Sequence, residues 1–188
     1  MRQEKKYILS ACDSSKFERR IINDGFISDH KPNLINNIYF DNLEYSCAKL
    51  NLEGEEFRIK YRLRWYNESN KFVLEEKIKR SSSGKKNRIQ IKSNCLNEAL
   101  KESSKMISML PVTRNQYYRR YYRKNDIRIT IDSNLKFLSL DEVKTIPFNQ
   151  HIVEIKYPTH VEPNLQIIKE LTKFSKYVMG LQALKFSI

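Results

Sequence analysis

The segment FRIKYRLRWY, at residues 57–66, alternates cationic side chains with large apolar or aromatic ones. Its cations are Arg58, Lys60, Arg62 and Arg64. Because successive side chains of a β-strand point to opposite faces, this pattern predicts a strand with one cationic face and one apolar face. The apolar face requires a core, and the four charges on the other face require either solvent or an anion.

The same alternation recurs at 72–80 (FVLEEKIKR), 127–132 (IRITID) and 151–157 (HIVEIKY). Strand parity assigns a further set of charged side chains to such polar faces: Arg2, Glu4, Lys6, Glu75, Lys77, Lys79, Lys86, Arg88, Arg128, Asp132, Glu154 and Lys156. Cations two apart on a strand are separated by about 7 Å, which costs about 2 kcal/mol per pair at an effective dielectric constant of about 20. Solvent relieves this repulsion on an open sheet, whereas an enclosed sheet keeps it until an anion enters.

The order of the predicted elements indicates an α+β protein in a single domain over residues 1–188. Strands are predicted at 2–9, 36–41, 57–66, 72–80, 87–93, 115–123, 127–132 and 151–157. Helices are predicted from Asp13 or Ser14 to about Asn23, over 96–109, and from Pro163 to about Phe174, with a polar loop after 41 through Gly54. Since the strands follow one another without regular helical crossovers, the sheet is predicted to be mostly antiparallel.

The charge of the chain points to a polyanionic partner. Lys and Arg number 35 against 22 Asp and Glu, which gives a formal net charge of +13. With four glycines and neither a GxxxxGK[ST] nor a GxGxxG motif, side chains rather than backbone amides must hold phosphate groups. The sequence shows no transmembrane segment and no signal peptide, and its three cysteines form neither a zinc pattern nor a disulfide framework, so we expect a cytoplasmic protein.

Closure of these strands into a barrel with its polar faces inward would create a positively charged tunnel that holds a few carboxylates. The outward apolar faces would then be covered by flanking helices. Carboxylates suit Mg²⁺ or Mn²⁺, and cations suit phosphate oxygens, so such a tunnel selects a metal-bound oligophosphate.

An RNA-binding module is the alternative from a different class. Tyr117, Tyr118, Tyr121 and Tyr122 are interleaved with Arg119, Arg120 and Arg123, a composition that suits base stacking and phosphate contact. The glutamates within the cationic rows argue against nucleic acid, and packing within the protein is the preferred interpretation of the tyrosines.

Eight segments in this order resemble the VTC domain, the polyphosphate polymerase branch of the triphosphate tunnel metalloenzymes. They are Arg2-x-Glu4-x-Lys6, IYFD at 38–41, the cationic strand at 58–64, LEEKIK at 74–79, Tyr117-x-Arg119, RITID at 128–132, VEIK at 153–156 and FSKY at 174–177. The resemblance implies a closed antiparallel eight-stranded β-barrel with a polar interior that binds a triphosphate or longer phosphate chain with divalent metal. It also implies transfer of the terminal phosphate of ATP to growing inorganic polyphosphate, with release of ADP.

Site residues follow from the resemblance position by position. The residues implied to hold phosphates are Arg58, Lys60, Arg62, Lys77, Arg119 and Arg128, with Arg2, Lys6, Arg64, Lys79, Lys86, Arg88 and Lys156 as additions. Lys176 is implied to contact the phosphate chain, and Glu154, with Glu4 or Glu75, is implied to bind Mn²⁺ or Mg²⁺. We expect Arg64 to lie nearer the mouth of the tunnel than the other cations of its strand.

The sequence leaves open which activity the fold serves and whether the protein has a membrane partner. The fold also serves triphosphatases and adenylate cyclases, and a non-catalytic binder of polyphosphate is a further alternative. No SPX regulatory domain is expected before the barrel and no transmembrane segment after it, so a membrane partner would have to be a separate protein.

Overall fold

The computed structural model describes residues 2–81, 83–161, 163, 165 and 174–186. Its residues form two compact units whose segments are interleaved along the chain. The first unit comprises Met1–Leu34, Tyr117–Leu135 and Pro147–Phe174, and the second comprises Ile35–Gln116, Lys136–Ile146 and Ser175–Ile188.

Nine strands and four helices are present in the described part of the chain. The strands are β1 (Arg2–Leu9), β2 (Ile27–Asp41), β3 (Phe57–Tyr66), β4 (Phe72–Arg80), β5 (Ser83–Ile91), β6 (Leu110–Lys124), β7 (Ile127–Leu138), β8 (Thr145–Phe148) and β9 (His151–Pro158). The helices are α1 (Ala11–Asn23), α2 (Ser46–Glu53), α3 (Leu96–Ile107) and α4 (Lys176–Ala183). None of these helices is long and apolar enough to span a membrane.

The strands form a large antiparallel sheet, which confirms the predicted α+β class. They pair in the order β1-β9-β7-β6-β2-β3-β4-β5, and β8 pairs with β7. Within the described residues, no hydrogen-bonded pairing joins β1 to β5, so the sheet is not closed by hydrogen bonds and the predicted closed barrel is not confirmed.

In the first unit, helix α1 covers the apolar face of the sheet. Phe17 and Ile21 of α1 are buried against residues of β7 and β9, including Ile131 and Val153. These strand positions alternate with charged or polar ones, so burying the apolar face leaves Glu154 and Lys156 on the opposite face of β9.

In the second unit, helix α3 covers part of the apolar face of the sheet. Ala99 of α3 is fully buried in a cluster that includes Leu63 of β3, Leu74 of β4 and Ile91 of β5. Leu63 and Trp65, at the end of the FRIKYRLRWY alternation, are therefore buried in the cluster that contains Ala99 of α3, whereas Phe57 at its start is 45% exposed. The cationic half lies on the other face of the strand.

Several predicted boundaries are wrong. The N-cap of α1 is Ser10, whose Oγ accepts a hydrogen bond from the Asp13 backbone N–H at 3.0 Å, rather than Asp13 or Ser14. The predicted loop after residue 41 contains α2, and neither β8 nor α4 was predicted. Most of the helix predicted from Pro163 to about Phe174 lies outside the described residues.

Candidate functional site

The register of β3, β4 and β5 arranges the charged side chains of the second unit in rows across the strands. Arg62 is opposite Glu75, which is opposite Arg88. The next row consists of three lysines, because Lys60 is opposite Lys77, which is opposite Lys86. Directly opposed side chains have Cβ atoms about 5 Å apart, and like charges in this arrangement are destabilising unless a counter-ion joins them. We call this surface the cation face.

Glu75 is the buried anion of the cation face. Its side chain is 3% exposed and lies among four cations, which we call the Glu75 cluster. Its Oε2 atom accepts a hydrogen bond from Arg62 Nε at 2.7 Å and is 3.7 Å from Arg64 Nη1. Its Oε1 atom is 3.2 Å from Arg88 Nε and pairs closely with Lys86 Nζ.

The electrostatics of the cluster favour an ionised Glu75. Burial alone would raise the pKa of its carboxyl, but the charges of Arg62 and Arg64 and the hydrogen bond from Lys86 outweigh burial and lower the pKa to about 2. At Lys86, by contrast, burial outweighs the attraction of Glu75, and the pKa of the ammonium is lowered to about 8. Both oxygens of Glu75 have cationic partners, and the Glu75 cluster contains no second carboxylate to share a metal ion, so its metal-binding role stays a prediction.

The expected position of Arg64 is wrong. Arg64 is 5% exposed, whereas the side chain of Arg62, in the same strand, is 22% exposed. Arg64 Nε donates a hydrogen bond to Asn37 Oδ1 at 2.7 Å, and Asn37 Nδ2 donates to Asn115 Oδ1 at 2.8 Å. Arg64 is thus anchored in a buried polar network beside the Glu75 cluster rather than near an opening.

The first unit holds a second group of charges, the Glu154 cluster, made of Glu4, Lys6, Glu154 and Lys156. Lys6 Nζ is 2.8 Å from Glu4 Oε1 and 3.9 Å from Glu154 Oε2. Lys156 Nζ is 2.7 Å from Glu154 Oε1 and 3.7 Å from Glu4 Oε2. The two carboxylates therefore share the same two ammonium groups.

Glu154 is ionised for the same reason as Glu75. Burial would raise the pKa of its carboxyl, but the charges of Lys156, Lys6 and Arg119 hold the pKa well below its usual range. Arg119 itself forms a two-pronged pair with Asp132 of β7, with distances of 2.6 and 2.7 Å.

Arg119 and its neighbour Arg120 pair with carboxylates on different faces of β6. Arg119 pairs with Asp132, which shares a strand face with Thr130 and Arg128. Arg120 Nε instead donates to Glu18 Oε1 of α1 at 2.7 Å, on the face covered by that helix. Arg119 therefore lies on the face that carries Asp132, and its predicted role in phosphate binding stays a prediction.

Glu4 and Glu154 lie close enough to share the ammonium groups of Lys6 and Lys156, and their predicted metal-binding role stays a prediction. Mg²⁺ and related ions are held by one or two carboxylates together with substrate phosphates and water. The described residues contain no group of three or more His, Cys, Asp or Glu side chains that could hold a metal alone. Thr130 Oγ1 adds a further oxygen: Thr130 is opposite Glu154 in the sheet, and its hydroxyl is buried without a hydrogen-bond partner among the described residues.

The remaining predicted residues are distributed over both units. Arg128 is opposite Lys156, and Arg58 is opposite Lys79. Lys176 is the first residue of α4. The backbone of Arg2 pairs with that of Pro158, but its side chain lies outside the described part of the structure.

The tyrosine-arginine segment of β6 packs within the protein. Tyr117 is 1% exposed and Tyr122 is 8% exposed, and Tyr121 lies edge-on against His30. The interleaved arginines have carboxylate partners, which are Asp132 for Arg119, Glu18 for Arg120 and Asp29 for Arg123. Of the four tyrosines, Tyr118 alone is classed as exposed, so the packing interpretation is confirmed for Tyr117 and Tyr122 and the segment offers no row of aromatic faces for bases.

The sequence motifs and the geometry agree with a family model of the VTC domain, which matches residues 1–185. The chain belongs to the VTC domain family. The predicted resemblance is thereby confirmed over nearly the whole chain. No curated protein matches the sequence.

The fold of this VTC domain is similar to that of solved structures with low sequence identity. The PH1819 protein of Pyrococcus horikoshii OT3 matches with a TM-score of 0.58 and 13% identity, over 96% of this chain and 99% of that one. The PH1012 protein of the same organism matches with a TM-score of 0.56 and 15% identity, over 86% and 80%. A proposed adenylate cyclase from Vibrio parahaemolyticus matches with a TM-score of 0.55 and 15% identity, over 86% and 78%. At these identities the likeness establishes a shared fold.

Proposed function

We propose that this VTC domain is a cytoplasmic, metal-dependent phosphotransferase that transfers the terminal phosphate of ATP to a growing inorganic polyphosphate chain and releases ADP. The proposal includes the closed tunnel that the resemblance implies. The observation that carries it is the lysine row of the cation face, Lys60–Lys77–Lys86. Lys77 and Lys86 of this row are exposed, and Lys86 also pairs with Glu75, so the row presents several ammonium groups that suit a chain of phosphate oxygens approaching from solvent.

Phosphate binding is assigned to the cations of both units. In the second unit, Lys60, Lys77 and Lys86 hold the phosphate oxygens. Glu75 serves as an internal counter-ion for the cations beside it. The positive surface is extended by Arg58, Arg62, Arg64, Lys79 and Arg88. In the first unit we assign this role to Arg119, Arg128, Lys6 and Lys156. Lys176 contacts the phosphate chain from the start of α4. The metal would be held by Glu154 with Glu4.

Phosphoryl transfer asks the protein mainly for positioning and charge stabilisation. The bond between the γ-phosphorus and the bridging oxygen of ADP breaks, ADP keeps the electron pair, and a terminal oxygen of polyphosphate forms the new bond. Because that acceptor oxygen is already anionic near neutral pH, no general base is needed. When bound, the metal would neutralise part of the phosphate charge. The arginines and lysines stabilise the remaining charge and hold the donor and acceptor in line.

The function is tested by incubating the purified protein with ATP and either Mn²⁺ or Mg²⁺. The polymer is analysed on a gel, and ADP and orthophosphate are quantified. We expect acid-labile polymer together with ADP, in amounts that match the phosphate incorporated, and neither product when the metal is chelated. Release of orthophosphate without polymer would instead indicate a triphosphatase, in which water replaces polyphosphate as the acceptor.

Thr130 provides a prediction about the metal-binding cluster that can be measured without turnover. Replacing Thr130 by Val keeps the shape of the side chain and removes its hydroxyl. Since this hydroxyl is buried and has no hydrogen-bond partner in the part of the chain that the structure describes, the free energy of unfolding should stay the same or rise by about 1–2 kcal/mol. The affinity for inorganic triphosphate with Mn²⁺ should fall about five- to tenfold, as measured by calorimetry, because one oxygen is lost beside Glu154.

Thr130→Ser is the matched control, because it keeps the hydroxyl and should retain most of the affinity. Equal affinity of the Val variant and the unmodified protein would exclude Thr130 from the site. A large loss of stability in the Val variant would show that its hydroxyl supports the fold instead.

A further inference from the structure

Helix α4 contacts a residue of the cation face. Tyr177 of α4 stacks on Tyr39 of β2, with ring centroids 4.9 Å apart and an interplanar angle of 17°. Tyr39 is directly opposite Arg62, and opposed residues of neighbouring strands project from the same face of a sheet. The ring on which Tyr177 stacks therefore projects from the cation face, and the buried cluster that contains both tyrosines also packs against Ile59 and Tyr61 of the apolar face.

The hydroxyl of Tyr177 is fixed by a buried carboxylate. Tyr177 is 1% exposed and donates its O–H to Oδ2 of Asp41, which is 0% exposed. Asp41 also accepts the backbone N–H groups of Cys47 at 3.0 Å and Ala48 at 2.9 Å, in the first turn of α2. Asp41 thus joins three elements, and burial together with this carboxylate raises the pKa of the Tyr177 hydroxyl.

A second contact attaches α4 on the other side of Lys176. Ser175, the N-cap of α4, accepts a hydrogen bond at its Oγ from Lys60 Nζ at 2.9 Å. Lys60 belongs to the lysine row. Lys176 therefore lies between one residue bonded to that row and another bonded to Asp41.

The helix needs these contacts because it is short. An isolated helix of eight residues is marginal in water, and α4 has no acidic residue in its first turn to favour its N-terminus. Tertiary contacts must then fix its position. Tyr177 supplies two of them through the stack on Tyr39 and the hydrogen bond to Asp41.

We propose that Tyr177 and Asp41 are positioning residues that hold Lys176 beside Lys60, so that a bound phosphate chain meets both cations. This proposal rests on the proposed function, since it names residues that support its phosphate-binding site. Neither Tyr177 nor Asp41 contacts the phosphate chain. Both act through Lys176.

A double-mutant cycle with inorganic triphosphate as the titrant tests this arrangement. Tyr177→Phe keeps the ring that stacks on Tyr39 and removes the hydroxyl that bonds Asp41. Alone, it should weaken triphosphate binding about fivefold, the loss expected for one hydrogen bond that orders the site. In a Lys176→Ala background the same change should have no further effect, because the side chain that it positions is already absent.

The remaining outcomes overturn the proposal. A loss of the same factor in both backgrounds would show that Tyr177 supports the fold generally, and no loss in either would show that its hydroxyl is dispensable. Tyr118→Phe, at an exposed tyrosine of β6, is the matched control and should leave the affinity unchanged. If Tyr177→Phe does not fold, Tyr39→Leu, which removes the stack and leaves the hydroxyl bonded to Asp41, replaces it in the cycle.

The experiment also separates this proposal from the function on which it rests. If the unmodified protein binds no triphosphate, the proposed function fails and the positioning role fails with it. If triphosphate binds and the effects of the two substitutions simply add, the positioning role alone is overturned.

Discussion

Replacing Glu75 by Gln should lower the free energy of unfolding by about 3–5 kcal/mol, as measured by urea or thermal unfolding. The substitution keeps the size of the side chain but removes the negative charge that lies among Arg62, Arg64, Lys86 and Arg88. Four cations would then remain around a buried neutral amide. Breaking a buried ion pair by removing one partner is costly because the buried cations, above all Arg64 with its side chain 7% exposed, keep their desolvation penalty and lose their attraction, whereas Arg88, with its side chain 65% exposed, stays solvated.

The neighbouring residue offers a matched control. Glu76 points to the other face of β4, where it accepts a hydrogen bond from Asn87 Nδ2 at 2.5 Å. Glu76→Gln can keep that hydrogen bond and should cost less than about 1 kcal/mol. If the two variants are equally stable, Glu75 does not compensate the cation face.

The contribution of ionised Glu75 should also be visible in the pH dependence of the free energy of unfolding. The pKa of the Glu75 carboxyl is lowered in the folded protein from 4.5 to about 2, so its contribution of about 3 kcal/mol is fully present above pH 4.5. It is lost as the pH falls from about 4.5 towards 2, because protonation then favours the unfolded chain. The difference in stability between the unmodified protein and Glu75→Gln should therefore shrink over this range.

Triphosphate should partly replace the missing carboxylate. At the same concentration of inorganic triphosphate, the melting temperature of Glu75→Gln should rise more than that of the unmodified protein, since its cations lack their internal counter-ion. An equal rise in both proteins would mean that triphosphate does not reach the Glu75 cluster.

Replacing Glu154 by Gln should reduce metal-dependent turnover at least about 100-fold, because the principal metal-binding carboxylate is lost. Calorimetric titration of Mn²⁺ into the protein provides a readout that does not depend on turnover, and the affinity for the metal should fall as well. The protein should still fold, since the apolar face of β9, with Val153 and Ile155 buried, is unchanged.

Asp126→Asn, in the exposed turn between β6 and β7, serves as the control and should leave both measurements unchanged. Full activity of Glu154→Gln would show that the metal assignment is wrong. Loss of turnover with normal Mn²⁺ affinity would assign Glu154 to phosphate positioning by way of Lys6 and Lys156 instead.

The strands were predictable from the sequence wherever their side chains alternate strictly. The predicted bounds of β1, β3 and β4 agree with the structure, because one apolar face is buried beneath a helix in each unit. Strand parity also assigned the charges of β3, β4 and β9 to the correct faces. Those assignments need no knowledge of which strands are neighbours.

The partners of the charged residues could not be read in the same way. Glu75 lies between Arg62 and Arg88 only because β3 and β5 flank β4 in one particular register. The burial of Arg64 likewise depends on its pairing with Asn37 of β2. Spacing along one strand contains no information about either contact.

Helix α2 was missed for a related reason. Its N-cap, Tyr45, has a left-handed backbone with φ of 55° and makes no capping hydrogen bond through its side chain, so the usual local signal is absent. Instead, Asp41 at the end of β2 accepts hydrogen bonds from backbone N–H groups in the first turn of α2. The same carboxylate binds Tyr177, so the IYFD and FSKY segments of the resemblance proved to be joined through it.

The central claim, that the cation face holds a phosphate chain, is tested most directly by calorimetric titration of inorganic triphosphate in the presence of Mn²⁺. The unmodified protein is compared with Lys77→Ala, which shortens the lysine row, and with Lys101→Ala, which removes an exposed cation from α3. The account predicts binding by the unmodified protein, a loss of roughly ten- to 100-fold in Lys77→Ala and no change in Lys101→Ala. Absence of binding, or an equal loss in both variants, would contradict it.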